Sequence, residues 1–190
     1  FYGSILFHSV PYFSQDKGDL EWEQFNKLGE AASLGCVRVC VADAMWLIDN
    51  CPVGTMVEVY DNADDPGPLG KPEMIKIPED SPYKGWDPTD PDKNNPWNNC
   101  KPEIKANKTK ATVYVHASES TVLSELGVTG YDTCGNEVTE KVSLGGLDIN
   151  RAGVYTVKLN LTDAIGRKAD EVIVTVEVKN KEVTTTQETT

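Results

Sequence analysis

The chain has 190 residues, 39% of them hydrophobic and 8% aromatic, which is the composition of a soluble globular protein with room for one large or two small domains. Its formal net charge of −12 is uneven: seventeen acidic residues face seven basic ones in residues 1–100, against thirteen and eleven in 101–190. No basic patch is available for phosphates, so nucleic acid is not an expected partner, and no apolar run approaches the ~20 residues of a membrane-spanning helix.

In chain order, residues 1–7 read as a buried strand that enters a loop at His8. Residue 1 is Phe and strand-like sequence begins at once, so the expectation is a piece of a longer protein. Val41 to Asn50 predicts one helix, with Val41, Ala44, Met45, Leu47 and Ile48 on its apolar face. Cys40 occupies the N-cap position, Asp43 follows where a capping carboxylate belongs, and Cys51-Pro52 ends the helix. Thr55 to Tyr60 alternates like a half-buried strand.

From Asp61 to Asn99 the chain is crowded with Pro, Asp, Asn and Gly, which favour turns and extended segments. Trp86 and Trp97 predict that this stretch packs on a domain. Beyond it, Thr112–His116, Glu137–Val142, Gly153–Thr162 and Glu171–Val178 read as strands, with His116 in a structural role. Their spacing predicts a small β-sandwich over residues 99–180. Residues 181–190 form a polar, threonine-rich tail. The fold expected is therefore mainly β, in two domains, 1–98 and 99–180.

Five cysteines (36, 40, 51, 100 and 134) leave at least one free thiol within the chain. Cys36 and Cys40 are followed by no second close pair, and His116 is remote, so neither a metal site nor a cofactor is expected. One cysteine stands out. Ser33-Leu34-Gly35-Cys36-Val37-Arg38 places a thiol beside a glycine and an arginine shortly before a helix, and one of only two histidines, His8, lies upstream. A thiol needs a base or a positive field to become a nucleophile near neutral pH. His8 can supply the base, the turn at Leu34-Gly35-Cys36 can offer backbone N–H groups to an oxyanion, and Arg38 can hold a carboxylate. Taken singly, each residue also has a bland reading: core thiol, packed histidine, surface arginine.

The run from Phe7-His8-Ser9 through Leu28-Gly29-Glu30-Ala31-Ala32-Ser33-Leu34-Gly35-Cys36-Val37-Arg38 to Asp43-Ala44 and Gly54-Thr55-Met56-Val57 resembles the catalytic core of YkuD-type L,D-transpeptidases. The resemblance implies Cys36 as nucleophile, His8 as the imidazole that activates it, and Ser9 as the residue whose carbonyl orients that imidazole. It implies Ser33, Leu34, Gly35 and Arg38 as the oxyanion-hole and substrate segment, with Leu34 standing where the family carries a second histidine. It implies further strands upstream of this segment, without which the sheet is incomplete. The activity implied is acyl transfer on peptidoglycan stem peptides through a thioester, giving 3→3 cross-links outside the cytoplasm, at the cell wall. Two other readings remain: a non-catalytic wall-binding or adhesion protein with a remnant transpeptidase half, and a cysteine hydrolase that cuts stems. Gly130-Tyr131-Asp132, Ala152-Gly153-Val154-Tyr155-Thr156-Val157 and Leu161-Thr162-Asp163-Ala164-Ile165-Gly166-Arg167 resemble bacterial immunoglobulin-like modules of surface proteins.

Overall fold

Two tripeptides far apart in sequence, Phe7–Ser9 (β1) and Val37–Val39 (β2), find each other as a parallel pair in register Phe7↔Val37, His8↔Arg38 and Ser9↔Val39. The computed structural model describes residues 3–60, 62, 64, 65, 67, 68 and 70–181, and the chain is mainly β, in two units, Phe1–Cys100 and Lys101–Thr190.

Parallel strands require a crossover. In the first unit it contains the short helix Trp22–Phe25 (α1), whose Phe25 is fully buried, as are Val10 and Leu20. The strand expected over residues 1–7 is shifted. The ladder with β2 begins at Phe7, Leu6 and Phe7 stay exposed, and His8 lies on the strand itself; Phe1 and Tyr2 lie outside the described residues. Register decides this, because the strand can exist only where β2 supplies a partner.

Helix α2 spans Val41–Asn50 as its apolar spacing predicts, and ends where the Cys51 N–H reaches the Leu47 carbonyl ahead of Pro52. Its N-terminus is held from outside. The Asp87 carboxylate accepts from the Val41 N–H at 2.8 Å, and the Thr89 hydroxyl from the Ala42 N–H at 3.1 Å. Helix starts leave such donors orphaned, and a distant Asp and Thr here replace the local cap that Cys40 cannot provide. No α2 residue is buried; Trp46 and Ile48 are 60% and 79% exposed. Thr55–Tyr60, expected as a strand, is instead irregular and exposed, with no ladder partner among the described residues.

The later part of the Pro- and Asp-rich stretch, from Ile77 to Trp97, packs as its tryptophans predict. Asn95 is buried; its amide donates to the carbonyls of Asp87 and Asp90, while its side-chain oxygen accepts from Trp97 N–H. Trp97, 2% exposed, donates its indole N–H to the Trp86 carbonyl. Upstream, the Asn26 side chain brackets the Ile77 backbone, donating to its carbonyl and accepting from its N–H, both at 2.8 Å. Gly85 packs so tightly that a Cβ there would lie 2.0 Å from the Gly18 carbonyl oxygen.

In the second unit Glu103–Ala106 (β3) pairs antiparallel with Val128–Tyr131 (β5). A four-stranded sheet contains Lys110–Tyr114 (β4), Ser143–Gly145 (β6), Gly153–Asn160 (β7) and Val172–Lys179 (β8), in the order β4-β8-β7-β6 with β4 parallel to β8. Alternation along β7 and β8 sends Val157, Leu159, Val174 and Val176 into a core closed by Val122, Leu126 and Leu161.

Two expectations are corrected here. Glu137–Val142 is not a strand: Glu137 makes a lone bridge to Tyr131, and Thr139–Lys141 is a 3-10 turn, because Val138 N–H is drawn to the Gly130 carbonyl. Glu119–Leu126 is a helix (α3) that a reading of continuous alternation overlooks. Its signals are ordinary: Ser118 caps Thr121 N–H, Val122, Leu123 and Leu126 make one buried face, and Gly127 closes the end at φ 61°. His116 falls just beyond β4 with φ 65°, its Nδ1 2.9 Å from the Asn150 side-chain oxygen.

Candidate active site

Parallel register sets His8 beside Arg38. Partners in a parallel ladder point to the same side, so His8 shares a face with Arg38. Cys36 lies one residue before β2, two positions ahead of Arg38. His8 is half-buried, and its Nδ1 lies 2.6 Å from the Ser9 carbonyl oxygen. A carbonyl only accepts, so Nδ1 carries the hydrogen and Nε2 keeps the lone pair that a general base needs. The Ser9 carbonyl thus fixes both tautomer and ring orientation.

Cys36 is half-buried, a free thiol whose Sγ lies 3.9 Å from the Ser4 carbonyl oxygen. The turn before it is tied by one side chain: the Ser33 hydroxyl donates to the Cys36 carbonyl at 2.6 Å and accepts from the Gly35 N–H at 3.1 Å. Gly35 has φ 137°, a backbone setting open to glycine and strained for other residues. Leu34 projects fully into solvent. In this state the Gly35 N–H is therefore occupied, and an oxyanion reaches it only when Ser33 turns away.

Arg38 donates from Nη1 to the Gln24 side-chain oxygen at 2.9 Å, while its Nε is buried without a hydrogen-bond partner. Residues 27–33 and 35–38 line a cleft of about 380 Å³, with Lys27, Glu30, Cys36 and Arg38 among the lining residues. Gln24, which holds the cleft-lining Arg38, and Asn26, which ties to Ile77, were not singled out by sequence reasoning; neither sits in a motif.

The thiol four residues on is of a different kind. Burial pushes Cys40 up to about 11, against hydrogen bonds from Thr89 and the Asp43 backbone that favour the thiolate; Asp43 Oδ2 accepts its S–H at 3.2 Å. Cys40 is thus a protonated structural thiol. Cys51 caps the other end of α2.

Residues 1–59 match the family model described as the YkuD L,D-transpeptidase catalytic domain. A Bacillus subtilis (strain 168) protein, YciB, whose name assigns it provisionally to the L,D-transpeptidases, is 41% identical over 58 residues, covering 30% of this chain and 29% of its own length. The chain thus spans less than a third of that relative. Among solved structures, the M60 catalytic domain with two CBM51 domains from Clostridium perfringens ZmpB is 24% identical over 43% of this chain and 8% of its own, at a TM-score of 0.32. A Bacteroides thetaiotaomicron lipoprotein is 19% identical over 44% of this chain and 40% of its own, at 0.29.

Proposed function

We propose that the chain is part of a peptidoglycan L,D-transpeptidase acting at the cell wall, outside the cytoplasm, with Cys36 as nucleophile and His8 as general base. The observation that carries this reading is the His8 imidazole, held by the Ser9 carbonyl and paired in register with Arg38, two residues along the chain from Cys36. The match of residues 1–59 supports it. His8 Nε2 takes the thiol proton, and the thiolate attacks the carbonyl that precedes the terminal D-alanine of a tetrapeptide stem. The C–N bond breaks, the imidazolium returns the proton to the leaving amine, and a thioester remains on Cys36. An amine from a second stem then attacks the thioester, His8 accepts its proton, and the thiol is restored as the new amide forms. Arg38 holds a free carboxylate of the stem, and the Leu34-Gly35-Cys36 turn receives the oxyanion once Ser33 releases it.

The second unit is read as an immunoglobulin-like spacer or adhesion module. Tyr155 supports this, since its hydroxyl donates to the Arg151 carbonyl at 2.8 Å, the kind of corner such sandwiches contain. A non-catalytic wall-binding role is the second reading of the first unit, favoured by the closed state of the Gly35 N–H.

Incubation with a tetrapeptide stem, with and without an acceptor amine, tests the proposal. D-alanine release with amine-dependent formation of a new amide is expected. Release that yields only free tripeptide would mean a hydrolase, and no release would favour the binding role.

A further inference from the structure

Arg38 stands out by what holds it. The first hundred residues contain seventeen acids, yet no carboxylate among the described residues pairs with this guanidinium. Its recorded partner is the neutral amide of Gln24, and its buried Nε remains unpaired. A carboxylate partner would cancel the charge; an amide oxygen orients the fork and leaves it cationic. Gln24 is itself well placed for that task. It lies on α1, next to the fully buried Phe25, and the following Asn26 is clamped to Ile77 on both sides. An uncompensated guanidinium held this way, lining a cleft that also contains Cys36, is a receptor for a carboxylate.

We propose that Gln24 is a positioning residue that sets Arg38 as a carboxylate anchor beside Cys36, selecting substrates with a free carboxylate next to the bond attacked. This rests on the roles given above to Cys36 and Arg38.

The test compares alkylation of Cys36 by iodoacetate, which carries a carboxylate, and by neutral iodoacetamide, followed in the full chain by mass spectrometry of the Cys36 peptide. The ratio of the two rates cancels intrinsic thiol reactivity. Gln24→Ala is expected to lower that ratio about three- to tenfold when Arg38 is present and to leave it unchanged in an Arg38→Gln background. Gln24→Glu, which keeps an acceptor but neutralises the guanidinium, lowers it at least as far, and covers the case in which Gln24→Ala does not fold. A ratio unaffected by Gln24→Ala, an equal change in both backgrounds, or a rise with Gln24→Glu would overturn the proposal. No acyl transfer is needed for this readout. Loss of the transpeptidase reading through absent D-alanine release is therefore distinguishable from loss of the anchor.

Discussion

Replacing Asp87 by alanine removes the side chain that starts α2. Asp87 is fully buried; it accepts from Val41 N–H at 2.8 Å, Thr89 N–H at 2.7 Å and the Thr89 hydroxyl at 2.6 Å. Losing a helix cap costs about 0.5–2 kcal/mol, and hydrogen bonds to a charged group add about 1.5–3 kcal/mol. Against this stands burial, which raises the Asp87 pKa despite those bonds and so penalises the ionised form. The balance gives a loss of about 2–3 kcal/mol. A raised folded pKa means the folded state keeps its proton longer than the unfolded one. The group's contribution is therefore largest below the unfolded value of ~3.9 and declines as pH rises through the folded value. Asp87→Asn, free of that charge and retaining one acceptor, should lose about half as much at pH 7. The assay is selective by composition, because all four tryptophans, 22, 46, 86 and 97, lie in the first unit. Urea unfolding followed by tryptophan fluorescence should show the Asp87→Ala midpoint lower by about 1 M, taking a slope of about 2 kcal/mol/M. An unchanged midpoint would refute the account of how α2 is anchored.

Alkaline pH should destabilise the same unit through Cys40. Its thiol, raised to about 11 from 9.0 by burial, stays protonated while the unfolded thiol ionises, so up to about 2–3 kcal/mol is lost between pH 9 and 11. Cys40→Ala should flatten that part of the urea-midpoint profile, and an equally steep profile in the variant would contradict the reading. Gly85→Ala, forced to within 2.0 Å of the Gly18 carbonyl, should cost about 1–3 kcal/mol in the same fluorescence assay, and a neutral effect would show that the loops part freely. His8→Ala should slow acylation of Cys36 about 100-fold or more and move its rate profile to higher pH; an unchanged profile in stopped-flow measurements removes His8 from the mechanism.

What was legible in the sequence follows from how local its cause is. Helix α2 reads directly because Ala44, Leu47 and the Cys51-Pro52 stop act within a few residues. Helix α3 was equally local, with Ser118, Leu126 and Gly127 in plain view, and was overlooked because strand alternation on both sides dominated the pattern. Thr55–Tyr60 alternates as a strand does, but a strand needs a partner, and alternation alone does not say whether one is present. Long-range ties were out of reach: Asp87 on Val41, Asn26 on Ile77 and Gln24 on Arg38 join residues that no spacing rule connects. His8 and Ser9 are sequence neighbours, so the contact of the His8 Nδ1 with the Ser9 carbonyl is local.

The most direct test of the central claim is intact-protein mass spectrometry after exposure of the full chain to a carbapenem, a class of acylating agent to which the resembled family responds. The account predicts a single covalent adduct mapped to Cys36, retained in Cys40→Ser and absent from Cys36→Ala. An adduct that persists in Cys36→Ala, or an intact chain that forms none, would contradict it.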